Sequence, residues 1–135
     1  MKRICLDTSA YSHFKRGDAA AVEVVTAASE VFVPSVVLGE LRTGFRLGNR
    51  RLQNEKELQQ FLASTVVRVI DVDDDVSSIY ADIVIELREA GTPIPTNDVW
   101  IAASAAREAA TVVTYDGHFG RVRRVGVRIL PLPGG

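Results

Sequence analysis

Val31-Phe32-Val33-Pro34-Ser35 holds a strand, its stop and the start of a helix in five residues. The apolar run suits a sheet covered on both faces, Pro34 stops it, and Ser35 opens a helix to about Leu47 that Gly48 ends. Working outward, Arg3 to Leu6 reads as a short buried strand, Val66 to Ile70 as the third, Thr111 to Thr114 as the fourth and Val127 to Leu130 as the fifth. Helices fill the intervals. Thr8 to Lys15 precedes Gly17, and Asp18 caps a helix through Ala28 with Val22, Val25 and Ala28 on one face. Asn49 caps a polar helix to Ala63, to which Leu52, Leu58, Phe61 and Leu62 give the apolar side. Asp73 begins a long helix to Ala90, closed by Gly91, with Ile79, Ile83 and Leu87 at four-residue spacing. Thr92 to Pro95 is a loop and Asn97 to Ala110 an alanine-rich helix. This alternation predicts the α/β class: a three-layer α/β/α sandwich with a five-stranded, mainly parallel sheet. With no internal repeat and no linker, residues 1–131 are expected to form one domain and 132–135 a short C-terminal tail.

The composition narrows the function classes. The chain has 135 residues, 47% of them hydrophobic, and a net charge of −1, so no global basic field marks a nucleic-acid binder. Arginines nevertheless cluster at Arg42, Arg46, Arg50 and Arg51, and again at Arg121, Arg123, Arg124 and Arg128. A solvated surface is the ordinary fate of such runs; a phosphate-contacting rim is the sharper one, with Arg42, Arg46 and Arg121 as its candidates. The single cysteine, Cys5, excludes a disulfide within the chain and reads as a buried, inert thiol. Only three apolar residues separate Arg3 from Asp7, too few for a leader peptide, and no run is long enough to span a membrane. A cytoplasmic protein is expected.

Acids at the joints carry the chemistry. Asp7 follows the first strand, Glu40 lies in the helix that begins at Ser35, Asp98 stands in Pro95-Thr96-Asn97-Asp98-Val99-Trp100-Ile101-Ala102-Ala103, and Asp116 follows Val112-Val113-Thr114-Tyr115. Open α/β sheets bind ligands outside the carboxyl ends of their strands, where these acids can converge. Glu40 shares a helical row with Val36, Thr43 and Leu47, which turns it inward or into a cleft. Asp98 sits in a first turn, where free N–H groups stabilise an anion; Thr96 or Asn97 can already cap that helix, which weakens a purely capping role. Converging carboxylates need a cation, and hard oxygen donors suit Mg2+ or Mn2+. With His13 and His118 as the only histidines and one cysteine, a structural zinc site is not supported. Four acids could hold one metal or two, and metal-assisted phosphodiester hydrolysis follows as the reaction class. Thr8, Ser9, Asn97 and Thr114 are small polar neighbours that could orient ligands or water.

The same residues resemble a known family. Leu6-Asp7-Thr8-Ser9, the segment from Pro34-Ser35 to Glu40-Leu41, the Pro95–Ala103 motif and Thr114-Tyr115-Asp116 through Phe119 occur in the order and approximate spacing of PIN-domain ribonucleases. The chain is most similar to the VapC toxins of VapBC toxin–antitoxin pairs, and the resemblance spans essentially its whole length. It implies a PIN-like nuclease domain whose acidic quartet is Asp7, Glu40, Asp98 and Asp116, with the hydroxyl after the first acid at Thr8. It also implies a Mg2+- or Mn2+-dependent endoribonuclease that inhibits translation, with structured RNAs such as transfer RNA among the family's targets. Its partners would be a second copy in a homodimer and a VapB-type antitoxin, which often brings an arginine to the acids. The alternative is a subunit of a regulatory complex in which the partner binds operator DNA and nuclease activity is secondary.

Other features weigh less. Asp71, Asp73 and Asp75 mimic the start of a calcium loop, but Val76 stands where glycine is needed, so a capping cluster is expected. His13 and His118 as an acid–base pair would leave four placed acids unexplained; RNA contact or a surface role is expected for both. Tyr11 and Phe14 are expected in the core or an interface rather than stacked on a base, and Trp100 in the core or a dimer contact. A phosphorylated receiver module would need a lysine after the last strands, and the last lysine is Lys56.

Overall fold

The computed structural model describes residues 2–134. Five strands form one sheet in the order β3-β2-β1-β4-β5: β1 Arg3–Leu6, β2 Glu30–Pro34, β3 Val67–Ile70, β4 Thr111–Thr114 and β5 Val127–Ile129. Every pair is parallel, so the sheet is wholly rather than mainly parallel. Six helices cover it: α1 Thr8–Lys15, α2 Ala19–Ala27, α3 Ser35–Leu47, α4 Arg51–Leu62, α5 Asp74–Glu89 and α6 Thr96–Arg107.

Burial follows position in the sheet. Ile4, Cys5 and Leu6 of β1, Val31, Phe32 and Val33 of β2, and Val112 and Val113 of β4 are all buried, as a strand covered on both faces requires. The edge strand β3 instead buries its two ends, Val67 and Ile70, and exposes Arg68 and Val69 between them. Each buried Val, Leu or Ile contributes roughly 1.5–3 kcal/mol through removal from water. Truncating Leu6, which is fully buried, would cost about 2–5 kcal/mol. Burial also pushes the Cys5 thiol well above its ordinary value, which leaves it unreactive. Tyr11 packs edge-on against Phe61, and Phe14 lies tilted on the same ring, so both belong to the core.

The short side chains of α6 let it approach closely. Ile101, Ala102, Ala103, Ser104 and Ala105 are all buried, and the Ser104 hydroxyl donates to the Trp100 carbonyl rather than remaining unpaired. Trp100 stacks on Tyr80 of α5, with ring centroids 3.7 Å apart. The helix closes through Ala109, which takes the left-handed conformation at φ 51°.

Several element ends differ from the sequence expectation. The α4 helix starts one turn position later than an Asn49 cap would place it, with Arg50 at the cap and no side-chain cap bond. Pro95 precedes α6, so neither Thr96 nor Asn97 caps it, and both lie within its first turn. Asp18 holds the cap position of α2, but its carboxylate accepts the Tyr115 hydroxyl instead of a backbone N–H. Asp73 does cap α5, accepting from Val76 N at 2.9 Å, and it also pairs with Arg107. A 3-10 turn over Gly117–Arg121 was not anticipated from the sequence. Within the C-terminal tail, 132–134 are exposed, and Gly135 lies outside the described residues. Among the described residues, no helix is long and apolar enough to cross a membrane.

Candidate active site

The chain leaves β1 toward β2 on one side, and β4 returns on the other, so the carboxyl ends of β1 and β4 flank the point where the topology reverses. Asp7 stands one residue beyond β1 and Asp116 two residues beyond β4. The first turn of α6 brings Asp98 to the same place, and α3 brings Glu40.

Asp7 is buried and held by three donors. Its Oδ1 accepts from Ser9 Oγ and Ala10 N, each at 2.8 Å, and its Oδ2 accepts from the Thr114 hydroxyl on the neighbouring strand. The Ala10 contact makes Asp7 the N-cap of α1 as well. Burial raises its pKa; the three hydrogen bonds pull it back, and the charge of Asp116 pushes it further up.

Glu40 is half-buried. Thr8 donates to its Oε1 at 2.5 Å, and Asn97 Nδ2 donates to its Oε2 at 3.2 Å. The buried stripe of α3 is Val37, Leu38 and Leu41, so the row of Glu40 borders the core rather than entering it. Leu47, on that row, is 85% exposed. The cleft, not the core, receives Glu40. Each of Thr8, Ser9, Asn97 and Thr114 thus bonds to one of two acids, Asp7 or Glu40.

Among the described residues, Asp98 has no such donors. Loss of solvent, and then the charges of Asp116, Asp7 and Glu40, push its pKa from 3.8 up to about 6, against the opposite pull of His118. This uncompensated negative charge is the feature a divalent cation fits. Asp98, Asp116 and His118 can each offer one donor atom, all within 4.8 Å of one another. Asp7 and Glu40 are not in this compact group; they bound it from the β1 and α3 sides.

His118 is the residue the sequence reading undervalued. Its Nδ1 lies 3.1 Å from Asp116 Oδ1 and 3.9 Å from Asp98 Oδ2. The 3-10 turn is the cause: Asp116 caps it by accepting His118 N at 2.9 Å, which folds the imidazole back onto the carboxylate. The signal was the two-residue spacing Asp116-Gly117-His118, which reads as capping only once the turn is recognised. His13 lies elsewhere, stacked on Tyr115 with centroids 3.9 Å apart.

Four of the clustered arginines have partners within the chain. Arg42 makes a two-pronged pair with Glu55, Arg46 donates to the Arg42 carbonyl, and Arg121 reaches the Pro93 carbonyl at 3.4 Å. Arg124 is paired with Asp82 and Glu86.

Known proteins are similar to this chain in sequence and fold. The PIN domain family matches residues 4–125. Ribonuclease VapC5 of Mycobacterium tuberculosis is 31% identical over 114 residues, spanning 84% of this chain and 83% of that protein. The crystal structure of VapBC-5 from the same organism, a member of the VapBC family of toxin–antitoxin systems, superposes with a TM-score of 0.74 at 30% identity, covering 94% of this chain and 98% of its own. VapBC2 of Rickettsia felis, bound to a DNA fragment from its promoter, superposes with a TM-score of 0.83 at 24% identity, covering 95% and 98% of the two chains, which bears on the fold alone.

Proposed function

The chain belongs to the PIN-domain family, and on that footing we propose that it is a metal-dependent endoribonuclease acting as the toxin of a toxin–antitoxin pair. The observation that carries this reading is Asp98: a carboxyl raised to about 6 by burial and then by three other acids at a sheet's switch point, in a chain 31% identical to a protein named a ribonuclease.

In this reading Asp98 and Asp116 hold Mg2+ or Mn2+, with Asp7 and Glu40 completing the acidic quartet. The cation supplies positive charge to the phosphoryl oxygens and acidifies water for in-line attack. The protein's own contribution is preorganisation. Thr114, Ser9 and the α1 N-terminus fix Asp7, and Thr8 with Asn97 fixes both oxygens of Glu40, so neither acid swings away when RNA enters. Structured RNA, including transfer RNA, is the substrate class, and inhibition of translation is the consequence.

A VapB-type antitoxin is the proposed partner, supported by the likeness to VapBC-5, and a homodimer is the proposed toxin unit. A basic side chain from that partner would neutralise the same acids the metal needs, so partner and metal would compete.

The test is direct. Purified chain free of any partner is given RNA with Mg2+ or Mn2+, and again with EDTA. Metal-dependent cleavage that disappears in Asp98→Asn supports the proposal. Cleavage that survives chelation, or full activity in that variant, sinks it.

A further inference from the structure

The donor set nearest to Asp98 is not purely oxygen. His118 Nδ1 falls within 4.8 Å of one oxygen each of Asp98 and Asp116, a compactness that Asp7 and Glu40 do not share. Its placement is built into the backbone: Asp116 caps the 3-10 turn through His118 N, and Phe119, wholly buried, anchors the next position. The imidazole therefore faces the acid pair by construction and is 44% exposed on its other side. An ion seated between the two carboxylates would find this nitrogen already at hand.

We propose that His118 is a ligand of the metal held by Asp98 and Asp116, and that its nitrogen makes the centre prefer Mn2+ to Mg2+. The inference rests on the metal-dependent reading above. Mg2+ takes oxygen donors in near-ideal octahedral geometry. Imidazole suits the later first-row ions, and affinity for nitrogen donors rises from manganese onward. Two carboxylates and one imidazole thus bias the site away from the magnesium preference that an all-acid quartet would give.

The chain has two histidines, which makes the test clean. Mn2+ is added to the purified chain and its coordination read by pulsed electron paramagnetic resonance, where a directly bound imidazole nitrogen modulates the echo. The modulation is expected in the wild type and in His13→Gln, and absent in His118→Gln. His118→Gln should weaken Mn2+ binding about tenfold and change Mg2+ binding, measured by competition, by less than about twofold. Nitrogen modulation that persists in His118→Gln, or equal loss of both ions, overturns the proposal and leaves the metal centre standing. Asp98→Asn and Asp116→Asn separate the two ideas. If both bind Mn2+ as tightly as the wild type, the centre itself is misplaced and both readings fall.

Discussion

Thr114 of β4 donates its hydroxyl hydrogen to Asp7 at the end of β1, across two strands paired in the register Leu6 to Val113. Thr114 is fully buried, so no water can replace the bond. Its Oγ1 also accepts from Asp116 N at 2.9 Å, which ties both acids to one side chain. Thr114→Val keeps the shape and removes both contacts. It should cost about 1–3 kcal/mol, seen as a lower urea midpoint, and weaken metal binding. An unchanged midpoint would show that Asp7 does not depend on this donor.

Asp98 sets a pH dependence with a definite sign. Its folded pKa of about 6 exceeds the ordinary 3.8, so between those values the folded state keeps a proton that the unfolded chain has released. Metal-free stability from this group is therefore full below about pH 4 and is lost as the pH rises to about 6, by an amount on the order of 2 kcal/mol. Asp98→Asn removes the charge. In EDTA it should melt higher than the wild type at pH 7, with the gap closing toward pH 4. A gap independent of pH would assign the effect to packing.

The same proton opposes the metal. A cation must displace it from Asp98 below about pH 6. The rise in Tm caused by saturating Mn2+ should be larger at pH 7.5 than at pH 5 and absent in Asp98→Asn. Equal stabilisation at both pH values would mean that the ion binds elsewhere.

The arginines should not act alike on RNA. Arg42 is already matched by Glu55, whereas Arg121, among the described residues, donates to the Pro93 carbonyl and pairs with no acid. Arg121→Ala should weaken RNA binding and reduce the salt slope by about one. Arg42→Ala should do less, and its effect should resemble loss of packing between α3 and α4. Binding measured from low to high salt distinguishes them.

Ala109 offers a test of the fold apart from the site. It closes α6 at φ 51°, where a Cβ is unfavourable and glycine is not. Ala109 is exposed, so Ala109→Gly loses no packing and should stabilise the chain by about 0.5–1 kcal/mol. A lower melting temperature would contradict this account of the strain.

Much of this structure could be read from residue patterns, and the misses share a cause. Val31-Phe32-Val33 and Val112-Val113 announced buried strands because both faces of a central parallel strand select the same residues. Strand order carries no such local mark; β1 pairs with β4 more than a hundred residues away. Asn49 and Asn97 looked like caps, but a capping preference is weak beside Pro95 or a neighbouring carboxylate in need of a donor. The positions of the acids at element joints were legible. Their unequal environments were not, because Asp98 owes its raised pKa to burial and then to acids far away in sequence. The row of Glu40 left two outcomes open, the interior or a cleft, and the contact with Thr8 goes with the cleft.

The strand order has a consequence for how the protein is made. β1, β2 and β3 can pair once residue 70 has been synthesised, but the other edge of β1 stays open until 111–114 exist. Asp116 and His118 come later still. A nascent chain on the ribosome thus carries Asp7, Glu40 and Asp98 before Asp116 and His118 exist. The acidic cluster can come together only after residue 118 has been made. A protein proposed to act against translation would thus lack its full set of acids until the sheet has closed around β1.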